Sequence, residues 1–221
     1  MIRRILGGLL ILAVAACATP PPAATAPKSV QPSPSSVAEL AAAIERDAQR
    51  SDHEIDSKIR RDLAAEASAD ADACLALQPQ AAACLYGRAV ALGLNARAHP
   101  TRANEYLTSM LDTLTRAESA DPSYDEAGPA RVRALVLIRA PGWPLGPGDA
   151  ELGLAAARRA VVLQPLYPPN LLALAEALAK TGNAAGAAET YARAHEAAQA
   201  LPESPDRDEW LHAADQGMQR K

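Results

Sequence analysis

Three short stretches decide the fold: Cys74-Leu-Ala-Leu-Gln-Pro79, Ala117-Glu-Ser-Ala-Asp-Pro122 and Ala160-Val-Val-Leu-Gln-Pro165. Their prolines are spaced 43 residues apart, and a small residue stands five positions before each one. A period of this length is the signature of stacked helical hairpins. Proline lacks an amide hydrogen and ends a helix, while a small side chain lets neighbouring helices approach closely. Around these markers alanine and leucine dominate, phenylalanine is absent and β-branched residues are sparse, a composition that favours helix. No segment alternates with the two-residue period of a strand. The spacing predicts helices near 37–50, 53–77, 80–95, 101–119, 125–139, 149–164, 168–181, 184–200 and 206–219. The expected fold is therefore all-α, built of three to four stacked antiparallel hairpins. The last helix, with Trp210 and Leu211, would cap them. A closed four-helix bundle is the alternative architecture.

Residues 168–199 resemble a tetratricopeptide repeat. Leu171, Leu174, Ala175 and Leu178 fit its first helix, Gly182 its turn, and Ala187, Tyr191 and Ala194 its second helix. The physical logic is also visible without the family: Ala175 and Ala187 are small where two helices must cross, and Leu174, Leu178 and Tyr191 fill the space around them.

The N-terminus has a different character. Arg3 and Arg4 precede an apolar run from Ile5 to Val14, and Val14-Ala15-Ala16-Cys17 follows. The run falls short of the roughly 20 residues a bilayer span needs and matches the apolar core of an export signal. It resembles a bacterial lipobox. That resemblance implies removal of residues 1–16 and acylation of Cys17. Several acyl chains hold a domain firmly where one does not. Ala18 follows the cysteine, which under the common sorting pattern implies the periplasmic face of the outer membrane. An ordinary cleaved signal peptide with an incidental cysteine is the plainer reading. Residues 17–36 are rich in proline, alanine and serine with Lys28 as the sole charge, a composition that cannot build a core. They read as a tether to the helical domain of residues 37–221.

The other two cysteines, Cys74 and Cys84, lie five residues either side of Pro79. In an exported chain they are expected to form one disulfide; two buried thiols are the alternative. Two cysteines without partners at ligand spacing do not make a zinc site.

Charge excludes one class of partner. Losing Arg3 and Arg4 with the signal reduces 22 basic residues to 20, against 26 acidic ones, the opposite of a nucleic-acid footprint. Membrane attachment would rest on lipid alone. His53, His99, His195 and His212 form no metal-binding pair at i, i+4, and the glycine-rich loop lacks the Gly-Lys-Ser/Thr end of a phosphate-binding loop. No catalytic residues, metal or cofactor are assigned, and an enzyme is not expected. Glu176 and His195 fall on neighbouring predicted helices but read as surface residues.

The loop Arg139-Ala140-Pro141-Gly142-Trp143-Pro144, followed by Gly146-Pro147-Gly148-Asp149, is the sharpest local feature. With Pro165 and Asn170 it resembles a segment of the TatT-type lipoproteins associated with periplasmic TRAP transporters. The resemblance covers about a third of the chain. It implies a lipid-anchored, periplasm-facing protein that engages a solute-binding partner and performs no catalysis. A generic tetratricopeptide lipoprotein that scaffolds envelope assembly and a carrier for a hydrophobic small molecule are the rival readings, and self-association stays open. Each loop residue also has a plain role: Pro141 stops a helix, Gly142 permits a positive φ, and Asp149 caps the next helix. Trp143 either folds back onto the helices as a plug or meets a partner. Arg131 and Arg139 fall on one face of their helix; they either face a groove or pair with Asp125, Glu126 or Asp149. Register alone adds Tyr86, Val90, Leu172 and Glu176 as candidate groove residues.

Overall fold

The structure, a computed structural model, describes residues 36–219. The signal segment 1–16, Cys17 and the tether as far as residue 35 lie outside the described residues. So do Arg220 and Lys221.

Nine α-helices follow one another among the described residues: α1 (Val37–His53), α2 (Ser57–Leu77), α3 (Ala82–Ala98), α4 (Ala103–Ala120), α5 (Tyr124–Arg139), α6 (Ala150–Leu163), α7 (Pro168–Lys180), α8 (Ala184–Gln199) and α9 (Pro205–Gln219). A single 3-10 turn, Pro100–Arg102, precedes α4. The starts are set by local chemistry. Ser36 and Glu39 form a reciprocal capping box on α1, and the side chains of Asp56, Asp149 and Asn183 accept first-turn amides of α2, α6 and α8. These bonds satisfy amides that have no partner inside the helix. The expected second helix begins four residues later than position 53, because Asp56 rather than the preceding segment supplies its cap. Gly182 takes a φ of 83° in the turn after α7, where a side chain would be strained.

Every helix packs on the next. In addition α1 touches α3, α3 touches α5, α5 touches α7 and α7 touches α9, whereas α2, α4, α6 and α8 make no such contacts with one another. The odd-numbered helices therefore lie side by side on an inner face, and the even-numbered ones fan out behind them. This is a solenoid of four hairpins with α9 as the cap, and the closed four-helix bundle is ruled out.

Small residues make the close packing possible. Ala64, Ala67, Ala71 and Cys74 form a fully buried stripe along α2 with helical spacing. Cys74, Ala117 and Ala160, five residues before the repeat prolines, are all 0% exposed. Ala175 and Ala187 share one core cluster with Leu174, Leu178 and Tyr191, as the sequence predicts. Cys74 and Cys84 are joined across the α2–α3 turn, with their Cα atoms 5.2 Å apart.

Candidate functional site

The inner face repeats with the sequence period. Ala83, Tyr86, Gly87 and Val90 of α3 line a cavity of about 320 Å³ shared with α1 and the start of α5. Pro169, Leu172, Ala173 and Glu176 of α7 line a second cavity, of about 500 Å³, with α5, α8 and α9. Counted from Pro79 and Pro165, the two sets occupy identical positions: four, seven, eight and eleven residues on. Tyr86 thus corresponds to Leu172, and Val90 to Glu176.

Helix α5 departs from this register. Strict repetition would bring Pro129 and Arg133 to the groove, but Arg131, Leu135 and Arg139 line it instead. The cause is a left-handed turn: Asp125, Glu126 and Ala127 have φ values of 51°, 52° and 65°. For residues with a Cβ this conformation costs about 1–2 kcal/mol each, so it persists only where the surroundings enforce it. Two buried side chains do so. The Arg131 guanidinium donates to the Asp125 carboxylate at 2.7 Å, to the Asp125 and Glu126 carbonyls at 3.1 and 3.2 Å, and to Asn170 Oδ1 at 3.2 Å. Asn170, 0% exposed, donates from Nδ2 to the carbonyls of Glu126, Ala160 and Gln164 at 2.9, 3.3 and 3.3 Å. One side chain thereby ties the turn to the end of α6 and the start of α7. Gly128 is required immediately after the turn: a Cβ there would stand 2.6 Å from Asp125 Oδ2 and 3.0 Å from Tyr86 Cζ.

Aromatic rings gather along the same face. Tyr86 and Tyr124 meet edge to face at 5.5 Å, and Tyr167 and Trp210 do so at 5.6 Å. The Arg131 guanidinium lies over Tyr167 at 5.2 Å, within cation–π range, and Tyr191 lines the larger of the two cavities. Five of the chain's seven aromatic residues thus border one surface. Burial, followed by the Asp125 charge, pushes the Tyr86 and Tyr124 phenols above their usual range. Burial likewise raises Tyr167, with carboxylates at Asp125, Glu126 and Asp206 adding to the effect against Arg131. Arg139 and Glu176 form a two-pronged pair at 2.8 and 2.6 Å across α5 and α7, and that bond holds Arg139 firmly protonated. A third cavity, of about 920 Å³, separates the C-terminal end of α1 from the N-terminal end of α9. Glu209 lines both it and the 500 Å³ cavity.

The predicted residues distribute as follows. Tyr86 and Val90 line the smaller cavity, while Arg131, Leu172 and Glu176 line the 500 Å³ one. Arg131 both faces the groove and pairs with Asp125, so the two readings of it coincide. Arg133 points elsewhere and meets Glu118 at 3.7 Å. Glu176 pairs with Arg139 and not with His195, which faces Asp215 at 3.5 Å. Trp143 lines neither cavity and is 90% exposed, so the expected plug is corrected. Its loop closes on itself: Gly148 N–H donates to the Pro141 carbonyl at 2.8 Å, and the Gly142 carbonyl accepts from Leu145 and Gly146. These bonds hold the Pro141–Gly148 backbone in a compact turn with the ring outside. Gly142 does not adopt the positive φ expected of it. Gly148 carries the constraint instead, since a Cβ there would fall 2.1 Å from the Ala140 carbonyl oxygen. Asp149 caps α6 as expected.

Sequence reasoning missed Tyr124, Tyr167 and the work done by Asn170. A signal was present for the first two, which both stand two residues after a repeat proline. Among the described residues no helix is long and apolar enough to cross a membrane, and no cluster of three or more His, Cys, Asp or Glu residues is placed to hold a metal ion.

In its helical arrangement the chain is similar to the crystal structure of a thermophilic TPR protein from Thermus thermophilus. The TM-score is 0.53, the identity is 22%, and the match covers 81% of this chain and 91% of that one. The fold is a tetratricopeptide-like solenoid. No protein-family model and no curated protein matches the sequence. In the terms of this fold, α1, α3, α5 and α7 are the inner helices of four hairpins, and the concave face they share with α9 is the candidate functional surface.

Proposed function

We propose that the chain is a binding scaffold that holds a segment of a protein partner on its concave face. The observation that carries this reading is the row of inner helices with its aromatic and charged side chains. Stacked hairpins present an extended inner surface suited to a partner segment, and aromatic residues with arginine are the side chains that dominate protein interfaces. The 500 Å³ cavity between α5 and α9 also bears on the rival reading of a carrier for an apolar small molecule. Leu135, Leu172 and Ala173 form apolar patches in it, but Arg131, Arg139, Glu176 and Glu209 share the lining. A peptide backbone with mixed side chains suits such a surface better than a hydrocarbon does.

The finer reading is that the scaffold is lipid-anchored through Cys17, faces the periplasm from the outer membrane and engages the solute-binding protein of a TRAP-type transporter. Its support is the Val14–Cys17 sequence and the resemblance of residues 139–170 to TatT-type lipoproteins. Two experiments test it. Metabolic labelling with a fatty acid should mark the wild-type chain and not the Cys17→Ser variant; a wild type that takes no label removes the anchor. A photo-crosslinking residue at position 172, used in the native cell envelope, should capture a solute-binding protein, while one at exposed Glu189 on α8 should not. Capture of envelope-assembly proteins at position 172 would favour the generic scaffold. Equal capture at both positions would remove the groove from the argument.

A further inference from the structure

The charges of the concave face do not balance once its own pairs are counted. Arg131 is matched by Asp125 and Arg139 by Glu176. At the α1 end, Asp52 is matched by Arg97 and Arg50 by Asp47. Four groove carboxylates and one arginine are left without an ion-pair partner among the described residues: Glu45 beside Tyr86, and Glu54, Asp206 and Glu209 with Arg46 around the mouth between α1 and α9, so the carboxylates outnumber the cation. Glu45 accepts a bond from Gln49 at 3.2 Å, which leaves its charge uncompensated. The two groups of carboxylates stand at opposite ends of the aromatic row, Glu45 next to the Tyr86–Tyr124 pair and Glu209 next to Trp210.

We infer that the segment seated on this face is cationic, with lysine or arginine side chains reaching Glu45 at one end and Asp206 and Glu209 at the other. The inference rests on the concave face being the binding surface and adds the chemistry of its occupant. The argument is charge complementarity on a defined concave surface. The long aliphatic stems of lysine and arginine cover apolar surface while their heads stay charged, and the exposed parts of the Tyr86, Tyr124, Tyr167 and Trp210 rings offer both stem contact and cation–π attraction. An acidic segment would meet unpaired carboxylates at both ends, and like charges brought together suppress a wrong partner. The same field is felt inside the face: Glu45 adds to the upward push on the Tyr86 and Tyr124 phenols, and Asp206 adds to that on Tyr167.

The test uses the full chain carrying Trp143→Phe, which leaves Trp210 as the sole indole. Trp210 emission is titrated with three short synthetic peptides of alternating Lys-Ala, Ser-Ala and Glu-Ala sequence, each at low and high salt. The Lys-Ala peptide should bind tightest and weaken as salt rises. Exposed charge pairs contribute modestly, about two- to fivefold in affinity each, so Glu45→Gln with Glu209→Gln should weaken binding roughly tenfold. Glu189→Gln, away from the groove on α8, should leave it unchanged. Circular dichroism confirms that the variants are folded. The inference is overturned if the Lys-Ala peptide binds no better than the other two, or if the double variant binds it as well as the parent. Leu172→Ser separates this failure from failure of the binding reading. If a neutral or acidic peptide binds and Leu172→Ser removes that binding, the groove stands and the charge inference falls. If no peptide binding responds to Leu172→Ser, both fall.

Discussion

Asn170→Ala is the substitution that asks most of this structure. The side chain is 0% exposed, and its two ends do different work: Nδ2 points at three carbonyl oxygens, and Oδ1 accepts from the Arg131 guanidinium. This division also fixes the orientation of the amide, since the reverse would set oxygen against three oxygens. Truncation removes one bond to a charged donor, worth about 1.5–3 kcal/mol, and one good neutral bond, worth about 1 kcal/mol. The Glu126 carbonyl keeps its bond from Arg131 at 3.2 Å, so the loss should fall near 3 kcal/mol. For a domain of this size that is a fall of roughly 6–12 °C in Tm. Asn170→Asp separates the two ends. A carboxylate still accepts from Arg131 but turns an oxygen on the carbonyls of Glu126, Ala160 and Gln164. It should therefore be at least as damaging as alanine. Urea denaturation followed by far-UV circular dichroism measures both. A loss below about 1 kcal/mol for Asn170→Ala, or an aspartate variant clearly more stable than the alanine one, would refute the claim that donation to the three carbonyls holds the turn.

Other substitutions probe the packing around it. Gly128→Ala forces a Cβ against Asp125 and Tyr86 and should cost about 1–3 kcal/mol; an unchanged urea midpoint would mean that the left-handed turn yields freely. Gly217→Ala places a Cβ 2.4 Å from the Tyr191 ring, so α9 must lift and, with Trp143→Phe leaving Trp210 as the sole indole, emission should shift to the red; unaltered emission and stability would contradict that contact. Trp143→Ser should change stability by no more than about 0.5 kcal/mol, as expected for an exposed site; a loss beyond about 1 kcal/mol would show that the ring packs on the domain after all. Reducing the Cys74–Cys84 bond should lower stability by about 2–3 kcal/mol on the chain-entropy account while the helical signal persists. Free thiols detected by denaturing alkylation of unreduced protein would remove the bond itself.

The sequence carried the architecture because its markers are local. A proline every 43 residues with a small residue five positions earlier is enough to space the hairpins, and Ala175, Ala187 and Gly182 took the places assigned to them. Tyr86, Val90, Leu172 and Glu176 were legible for the same reason, since helices α3 and α7 keep the repeat. What was not legible depends on distance in the chain. Asp125-Glu126-Ala127 reads as an ordinary helix start, acidic in its first turn. Its left-handed form is imposed by Arg131 and by Asn170, 44 residues beyond Glu126. Trp143 misled for a related reason. A tryptophan among prolines reads as a plug, and nothing in its neighbours reveals that Pro141, Gly142 and Gly148 close the loop on themselves.

The left-handed turn also explains why the groove has its present shape. Without it, α5 would keep the register of α3 and α7 and offer Pro129 and Arg133 to the inner face. With it, Asp125 borders the 320 Å³ cavity and Arg131 the 500 Å³ one, so their ion pair stands as a partition between these two parts of the surface. Three left-handed residues cost about 3–6 kcal/mol in all. The Arg131 and Asn170 bonds offset a sum of that order, since each bond to a charged group contributes about 1.5–3 kcal/mol. The network therefore yields little net stability; what it secures is position. This has a consequence for reading Arg131 variants. Arg131→Ala leaves strained backbone and removes the guanidinium donor from the Asp125 carbonyl and Asn170 Oδ1, while the Glu126 carbonyl keeps its bond from Asn170, so it should loosen both cavities together. A loss of partner binding in that variant speaks for direct contact only if the 125–127 turn persists, and the Tyr86–Tyr124 pair beside it supplies the near-ultraviolet signal by which to judge that.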